Sequence, residues 1–239
     1  MTISRAMVLA AGLGRRLRPI TDTLPKPLVQ VAGVPMIDRI LDRLDDAGVG
    51  EAVVNLHHHG QRLADHLAGR RRPRIILSHE ETLLETGGGV RRALGMLGDG
   101  AFFVVNGDVL WRDGKRPALD RLAASWDEER MDALLLLQRT TTAVGYDGGG
   151  DFMLSQTGLV RRPVAGELPP YLYAGIHILH PRLFAAAPDG AFSLNRLFDA
   201  AAAQERLAGI VHDGEWYHVG TPAALLETEE QLSSTSVWR

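Results

Sequence analysis

Short apolar runs recur along the first two-thirds of the chain, and nothing else constrains its fold as strongly. They are Ala6–Ala11, Ala52–Leu56, Arg74–Ser78, Phe102–Asn106 and Ala133–Leu137. They are largely aliphatic and alternate little with polar residues, the pattern of strands buried on both faces of a parallel sheet. Between them lie stretches with apolar residues at spacings of three and four: Pro35–Ala47, His59–Leu67, Gly88–Leu97 and Leu119–Trp126. In the first, Met36, Ile37, Ile40, Leu41 and Leu44 share one face behind a proline suited to a helix start. Repeated strand–helix–strand units imply right-handed crossovers. The predicted fold class is α/β: a doubly wound, Rossmann-like, mixed but mostly parallel sheet flanked by helices.

From about Tyr146 the pattern changes. Asp151–Ser155, Leu159–Arg162 and Tyr171–Leu179 read as strands of a small β extension, with Pro163–Pro170 a loop. Phe192–Ala203 reads as a helix capped by Ser193, Ile210–Val219 as one strand, and Pro222–Leu232 as a closing helix, with Ser233–Ser236 frayed. At 239 residues with 45% hydrophobic composition, one domain over 1–239 is expected. A net charge of −3 gives no basic face for nucleic acid. The absence of cysteine excludes disulfides, thiolate metal sites and cysteine catalysis. No apolar stretch reaches the ~18–20 residues of a membrane helix. The first strand begins too early to leave room for a signal peptide. A cytoplasmic protein with no membrane partner, monomer or homodimer, is expected.

The first run breaks into Gly12-Leu13-Gly14-Arg15-Arg16-Leu17-Arg18-Pro19, and Pro25-Lys26-Pro27-Leu28 follows. Gly12 and Gly14 permit positive φ and close approach of a ligand, while Arg16 and Lys26 can neutralise phosphates. A plain strand-to-helix turn is the competing reading of the glycines. A dinucleotide fingerprint needs glycine where Leu17 stands, and a P-loop needs Gly-Lys-Ser/Thr; both fail. Pro25 and Pro27 stiffen the backbone around Lys26. Asp108, at the end of a buried run, is either a Mg²⁺ ligand or the cap of a turn. Gly87-Gly88-Gly89 opens a helix and offers bare N–H groups, or is only a flexible turn. His57-His58-His59 point in alternating directions and cannot converge on one ion, so they read as solvated, as does Arg70-Arg71-Arg72.

These residues resemble a known signature. Leu9-Ala10-Ala11-Gly12-x-Gly14-x-Arg16-Leu17-x-Pro19 with Pro25-Lys26-Pro27-Leu28 is similar to that of sugar-1-phosphate nucleotidyltransferases. Leu84-Glu85-Thr86-Gly87-Gly88-Gly89, Asn106-Gly107-Asp108 and Trp216-Tyr217-His218-Val219-Gly220-Thr221-Pro222 resemble its later motifs, in order. The resemblance implies a nucleotide-binding core over 1–140 and sugar-binding and closing elements over 141–239. It implies nucleotide contacts at Leu9, Ala10, Ala11, Gly12, Gly14, Arg16, Lys26, Glu80, Gly87 and Gly88, and sugar contacts at Asn106, Gly150, Asp151 and Gly175. Arg16, Lys26 and Asp108 would be catalytic, with Mg²⁺ on Asp108. His218 stands where the family usually has Asp as second metal ligand. It would act as a weaker ligand, bond phosphate, or leave the ion to Asp108 and substrate. The implied reaction joins an NTP to a sugar-1-phosphate and releases pyrophosphate. The Leu-Glu-Thr-Gly-Gly-Gly form and small size look most like the N-acetylmuramate-1-phosphate uridylyltransferases of cell-wall recycling, which favours UTP. Mannose-1-phosphate guanylyltransferases are the alternative, and a non-catalytic nucleotide-sugar-binding regulator is a third reading. Arg161-Arg162-Pro163 replaces the family's Glu-Lys-Pro; the arginine pair would meet a lactyl carboxylate or lie exposed.

Overall fold

A computed structural model describes residues 3–234. The chain opens with β1 (Arg5–Leu9), passes through 3-10 turns at Arg15–Leu17, Ile20–Asp22 and Lys26–Leu28, and forms a short hairpin, β2 (Gln30–Val31) and β3 (Val34–Pro35). Next come α1 (Met36–Asp46), β4 (Glu51–Leu56), α2 (Gly60–Leu67), β5 (Arg74–His79), α3 (Glu85–Leu97) and β6 (Phe102–Asn106). Then follow β7 (Val109–Arg112), α4 (Ala118–Ser125), β8 (Ala133–Arg139), β9 (Ala143–Val144) and the hairpin β10 (Met153–Leu154) and β11 (Val160–Arg161). The chain continues through β12 (Tyr171–Leu179), α5 (Asn195–Ala203), β13 (Leu207–Val211), β14 (Glu215–His218) and α6 (Pro222–Ser234).

A seven-stranded sheet in the order β13-β8-β12-β6-β1-β4-β5 forms the centre. Within it β12 runs antiparallel to both β6 and β8, and the other pairings are parallel. The chain winds outward from β1 to β4 and β5, then returns to β6 on the other side of β1. Open α/β sheets take ligands at such a reversal, outside the carboxyl ends of the strands. The runs of little polar alternation are explained by two apolar layers. Ala6 and Val8 face α1, α2 and α4, while Met7 faces α3 and α5; Phe103 and Val105 oppose Phe102 and Val104 in the same way. On α1 the spacing of Ile37, Ile40, Leu41 and Leu44 leaves all four fully buried. Each contributes about 1.5–3 kcal/mol by leaving water.

A smaller sheet, β7-β14-β9, was not expected. The run Ile210–Val219 is two strands, not one: β13 closes the large sheet, the chain turns at Asp213-Gly214, and β14 joins β7 and β9. Gly214 makes this turn because a Cβ there would sit 2.0 Å from Arg112 O. The first strand ends at Leu9 rather than Ala11, and α3 starts at Glu85 rather than Gly88. Helix α5 starts at Asn195 and Ser193 is not its N-cap residue, although Ser193 Oγ accepts the Asn195 N–H at 3.3 Å. Ser233 and Ser234 continue α6 instead of fraying, and the rest of the expected frayed segment lies outside the described residues. Among the described residues no helix is long and apolar enough to cross a membrane.

Candidate active site

The carboxyl ends of β1 and β6 open onto a cavity of about 380 Å³. Leu9, Ala10, Ala11, Gly12, Lys26, Glu80, Asn106 and Asp108, all singled out in the sequence, line it. Lys26 is carried by the 3-10 turn between its prolines, closed by the Leu28 N–H to Pro25 O at 2.9 Å. Its Nζ lies 2.6 Å from Asp108 Oδ2. Asp108 falls between β6 and β7, and across the small sheet Val219 N–H reaches Asp108 O at 3.1 Å. That pairing brings His218 Nε2 to 3.4 Å from the same carboxylate oxygen. Burial alone would push the Asp108 carboxyl up, but the Lys26 ammonium and His218 ring more than offset it and hold the group well below the usual carboxylate range.

Asp108 and His218 test the fit of a divalent ion. Two donors 3.4 Å apart can bond one ion, but a carboxylate and an imidazole supply only part of the roughly six donors Mg²⁺ takes. No group of three or more His, Asp or Glu able to hold a metal occurs among the described residues. The pair therefore fits an ion completed by water and substrate phosphate, not a site built by protein alone.

Gly14, Arg16, Gly87, Gly88, Gly150, Asp151 and Gly175 are not among the residues that line the cavity. Gly14 has φ +61 and sits against Thr21, whose Oγ1 donates to Gly14 O at 2.8 Å. Gly12, by contrast, is not among the positive-φ glycines; what it provides is open space, with nothing within 4 Å of a Cβ. Arg16 is exposed on the rim, 3.3 Å from where a Cβ on Gly220 would stand, beside the His218 ring. Gly87 and Gly88 do not offer bare donors: both N–H groups go to Phe192 O, at 2.8 and 3.2 Å. They are glycine because the segment before α5 presses on them; a Cβ would lie 2.3 Å from the Phe192 ring or from Gly190 O. Gly150 (φ +94) and Asp151 fasten their loop, through Tyr146 Oη to the Gly150 N–H and through Asp151 Oδ2 to the Tyr173 N–H. Gly175 packs on the Asn106 side chain.

Asn55 is the main residue the sequence reading missed. It is 3% exposed, accepts the Ala10 N–H at 2.6 Å and donates to Glu80 Oε1 at 2.7 Å. Glu80 Oε2 in turn accepts the Leu84 N–H at 3.0 Å. One buried amide thus locks the glycine turn to the loop before α3. Its only signal was a polar residue interrupting the run Ala52–Leu56. The three histidines do not converge, as expected, yet they are half-buried rather than solvated. His57 meets Glu80 O, His58 meets Thr21 O and His59 meets Asp22 O, at 3.0–3.1 Å. Arg70 also departs from a solvated reading, pairing with Asp42 at 2.7 Å. Arg161 forks onto Glu167 at 2.6 and 2.7 Å, and Arg162 holds Asp199 at 2.8 Å over the Phe152 ring, so protein carboxylates already engage both.

Comparison with known proteins identifies the family. The nucleotidyl transferase family model matches residues 5–235. The chain is 48% identical over 233 residues to N-acetylmuramate alpha-1-phosphate uridylyltransferase of Caulobacter vibrioides, covering 95% of this chain and 96% of that protein. It is 36% identical to the protein of the same name from Neisseria meningitidis serogroup B, covering 94% and 96%. A solved UDP-glucose pyrophosphorylase complexed with UDP-glucose superposes with TM-score 0.81 at 16% identity over 97% of this chain and 99% of that one. The inositol-1-phosphate CTP transferase from T. maritima gives 0.78 at 16% identity over 100% and 99%. At such identity these two structures establish the shared fold alone.

Proposed function

The chain belongs to the nucleotidyl transferase family of sugar-1-phosphate nucleotidyltransferases, and from that premise we propose that it joins UTP to N-acetylmuramate 1-phosphate. The observation that carries the reading is the meeting of Lys26, Asp108 and His218 at the end of β6, beside the glycine turn. The names of the relatives at 48% and 36% identity support the base and the sugar. In the reaction a phosphate oxygen of the sugar-1-phosphate attacks the α-phosphorus. The α–β bridging bond breaks and pyrophosphate leaves with the electron pair. The nucleophile is already an anion, so positioning and charge neutralisation dominate.

Each residue has a role on this reading. Ala10 commits its N–H to Asn55, and beyond it Ala11 and Gly12 are the residues of the turn that line the cavity and carry backbone donors. Lys26 neutralises the α-phosphate and the incoming phosphate, and Arg16 on the rim takes the β,γ-phosphates. Asn106 meets the sugar. Mg²⁺ held by Asp108 and His218 would supply Lewis-acid neutralisation of phosphate charge. Glu80 offers a base edge only acceptors, which suits the N3–H of uracil and not the bare N3 of cytosine. Residues 1–140 form the nucleotide-binding core, which also lends Asn106 to the sugar, and 141–239 the sugar-binding and closing elements; a single domain is supported by β12 and β13 sharing the sheet of β1. The setting is cytoplasmic cell-wall recycling, by a monomer or homodimer.

The test is pyrophosphate release with Mg²⁺ across UTP, CTP, GTP and ATP, each paired with the 1-phosphates of N-acetylmuramate, N-acetylglucosamine and mannose. UTP with N-acetylmuramate 1-phosphate should give the highest kcat/KM. A preference for GTP with mannose 1-phosphate would overturn the assignment.

A further inference from the structure

Helix α3 opens on a residue that suits its backbone poorly. Glu85 stands at φ +59, a left-handed conformation that glycine adopts freely and other residues adopt at a cost. Four non-glycine residues have positive φ among the described residues, and Glu85 is the one on the wall of the active-site cavity. Complementing the helix dipole accounts for an acid in this turn, but not for a side chain where glycine would fit best. Burial does not account for it either, because Glu85 is exposed. Its carboxylate has no hydrogen bond or ion pair among the described residues.

The groups around it are already committed. Glu80 accepts from Asn55 Nδ2 on Oε1 at 2.7 Å and from the Leu84 N–H on Oε2 at 3.0 Å. Thr86 Oγ1 accepts the Leu194 N–H at 3.0 Å, and Asp108 Oδ2 is held by Lys26 at 2.6 Å. Among the described residues that line the cavity, Glu85 is the carboxylate with both oxygens uncommitted.

Its place decides what it can meet. Gly12, Lys26 and Asp108 gather cationic and backbone donors at the ends of β1 and β6. Glu80, Leu83, Glu85 and Thr86 line the cavity from the loop between β5 and α3, which the Glu80 N–H ties to Leu56 O at the end of β4, at 2.9 Å. Leu83 adds exposed apolar surface there. A carboxylate repels a triphosphate and accepts only from donors, so this wall takes the nucleoside. The donors of a uridine nucleotide are the uracil N3–H and the ribose 2′- and 3′-hydroxyls. The N3–H is flanked by two carbonyl oxygens and already faces Glu80, which leaves no room for a second anion. The ribose diol remains, and an acidic side chain on a ribose hydroxyl is a pairing that dinucleotide folds also use.

We propose that Glu85 is a specificity residue that accepts hydrogen bonds from the ribose hydroxyls of the nucleotide, and that its left-handed backbone is kept for this contact. The inference rests on the nucleotidyltransferase reading for the nucleotide itself, and on UTP only for the elimination of the base.

The test is calorimetric titration of wild type, Glu85→Gly, Glu85→Ala and Glu85→Gln with UTP, 2′-deoxy-UTP and 3′-deoxy-UTP, alongside steady-state kinetics and thermal melts. Wild type should bind UTP about five- to tenfold more tightly than at least one deoxy analogue, the range of a hydrogen bond to an exposed charged group. Glu85→Gly should weaken UTP by the same factor and bind all three nucleotides within about twofold of one another, with KM for the sugar-1-phosphate changed less than twofold. It should melt no lower than wild type, since glycine relieves the backbone. Glu85→Ala keeps the strained backbone without the carboxylate, so it should lose the same affinity and melt below Glu85→Gly. Glu85→Gln keeps an acceptor and should retain part of the preference for ribose. UTP affinity within twofold of wild type in Glu85→Gly, or a ribose preference that survives in it, would overturn the proposal. So would a loss seen in Glu85→Gly and absent from Glu85→Ala, which would trace the effect to the backbone. A wild type that prefers GTP would sink only the uridylyltransferase reading, and GTP with its 2′- and 3′-deoxy forms would then carry the same comparison, since the ribose is shared.

Discussion

Replacing Asn55 by leucine separates the chemistry of its amide from its bulk. The side chain is 3% exposed and bridges the Ala10 N–H, at 2.6 Å, to Glu80 Oε1, at 2.7 Å. Leucine fills the volume but leaves a buried backbone donor and a buried carboxylate oxygen each one partner short. Orphaning a neutral group costs about 1–3 kcal/mol and a charged one more, which sums to about 3–5 kcal/mol. For a chain of 239 residues each kcal/mol moves Tm by roughly 2–4 °C, so a fall of about 6–20 °C is expected. Asn55→Asp keeps the acceptor for Ala10 but sets a second carboxylate against Glu80, so it should lose at least as much. Thermal and urea melts measure this, and calorimetric titration with UTP should show about tenfold weaker binding, because the freed segment is the turn proposed to hold the nucleotide. A leucine variant melting within about 2 °C of wild type, with full UTP affinity, would refute the view that this amide holds the site together.

Lys26→Met should lower kcat by about 10²–10³ while the fold persists, since it removes the fixed charge proposed to neutralise phosphate; pyrophosphate release within fivefold of wild type would contradict that role. Gly88→Ala should destabilise by about 1–3 kcal/mol, because its Cβ would meet Gly190 O at 2.3 Å. Gly95→Ala on the same helix has nothing within 4 Å and should stabilise by about 0.5–1 kcal/mol; equal signs in urea melts would count against the packing account. Burial sets His177 at about 3, below the ~6.5 of the unfolded chain. Its stability contribution is thus complete above pH ~6.5 and is lost, at up to ~1.4 kcal/mol per pH unit, as pH falls toward 3. His177→Leu should flatten that limb, and parallel wild-type and variant curves between pH 7 and 5 would show that the ring titrates freely in the native state.

What the sequence made legible follows from local period and chemistry. Strands β1, β4, β5, β6 and β8 were readable because apolar layers cover the sheet, so β4 and β6 spell continuous hydrophobic runs, whereas β12, read as part of a small β extension, lies inside the large sheet between β8 and β6. Lys26 stood out because a lysine stiffened between two prolines is unlike a solvated surface lysine, whereas Asp108 at the end of a buried run read equally as a metal ligand or a turn cap, and only the resemblance favoured the metal. The small sheet was not readable: β9 is two residues long, and β14 merged with β13 into one apolar run whose division depends on Asp213-Gly214. Nor were the glycines of α3 assignable. Gly87 and Gly88 look like a flexible turn or a bare helix end, and only the distant segment at Gly190–Phe192 explains them. Asn55 shows the same limit, since its partners are 45 and 25 residues away.

His218 changes the charge of the site, and with it the manner in which an ion is held. Lys26 and Asp108 offset one another at 2.6 Å, so position 218 decides the local sum. A carboxylate at the 3.4 Å separation seen for His218 would repel Asp108 by about 5 kcal/mol at an effective dielectric of about 20. Only a bound cation could offset that, which is how a pair of acids draws metal out of solution. Imidazole in either protonation state removes this repulsion and the corresponding pull on a cation. The ion must then be recruited mainly by the phosphates that arrive with UTP. Mn²⁺ binding followed by electron paramagnetic resonance should accordingly be weak for the protein alone and tighten at least tenfold when UTP is added. His218→Asp should bind Mn²⁺ without nucleotide and show a much smaller gain from UTP. Equal nucleotide-free affinities in the two proteins would mean that the charge at position 218 does not govern the ion.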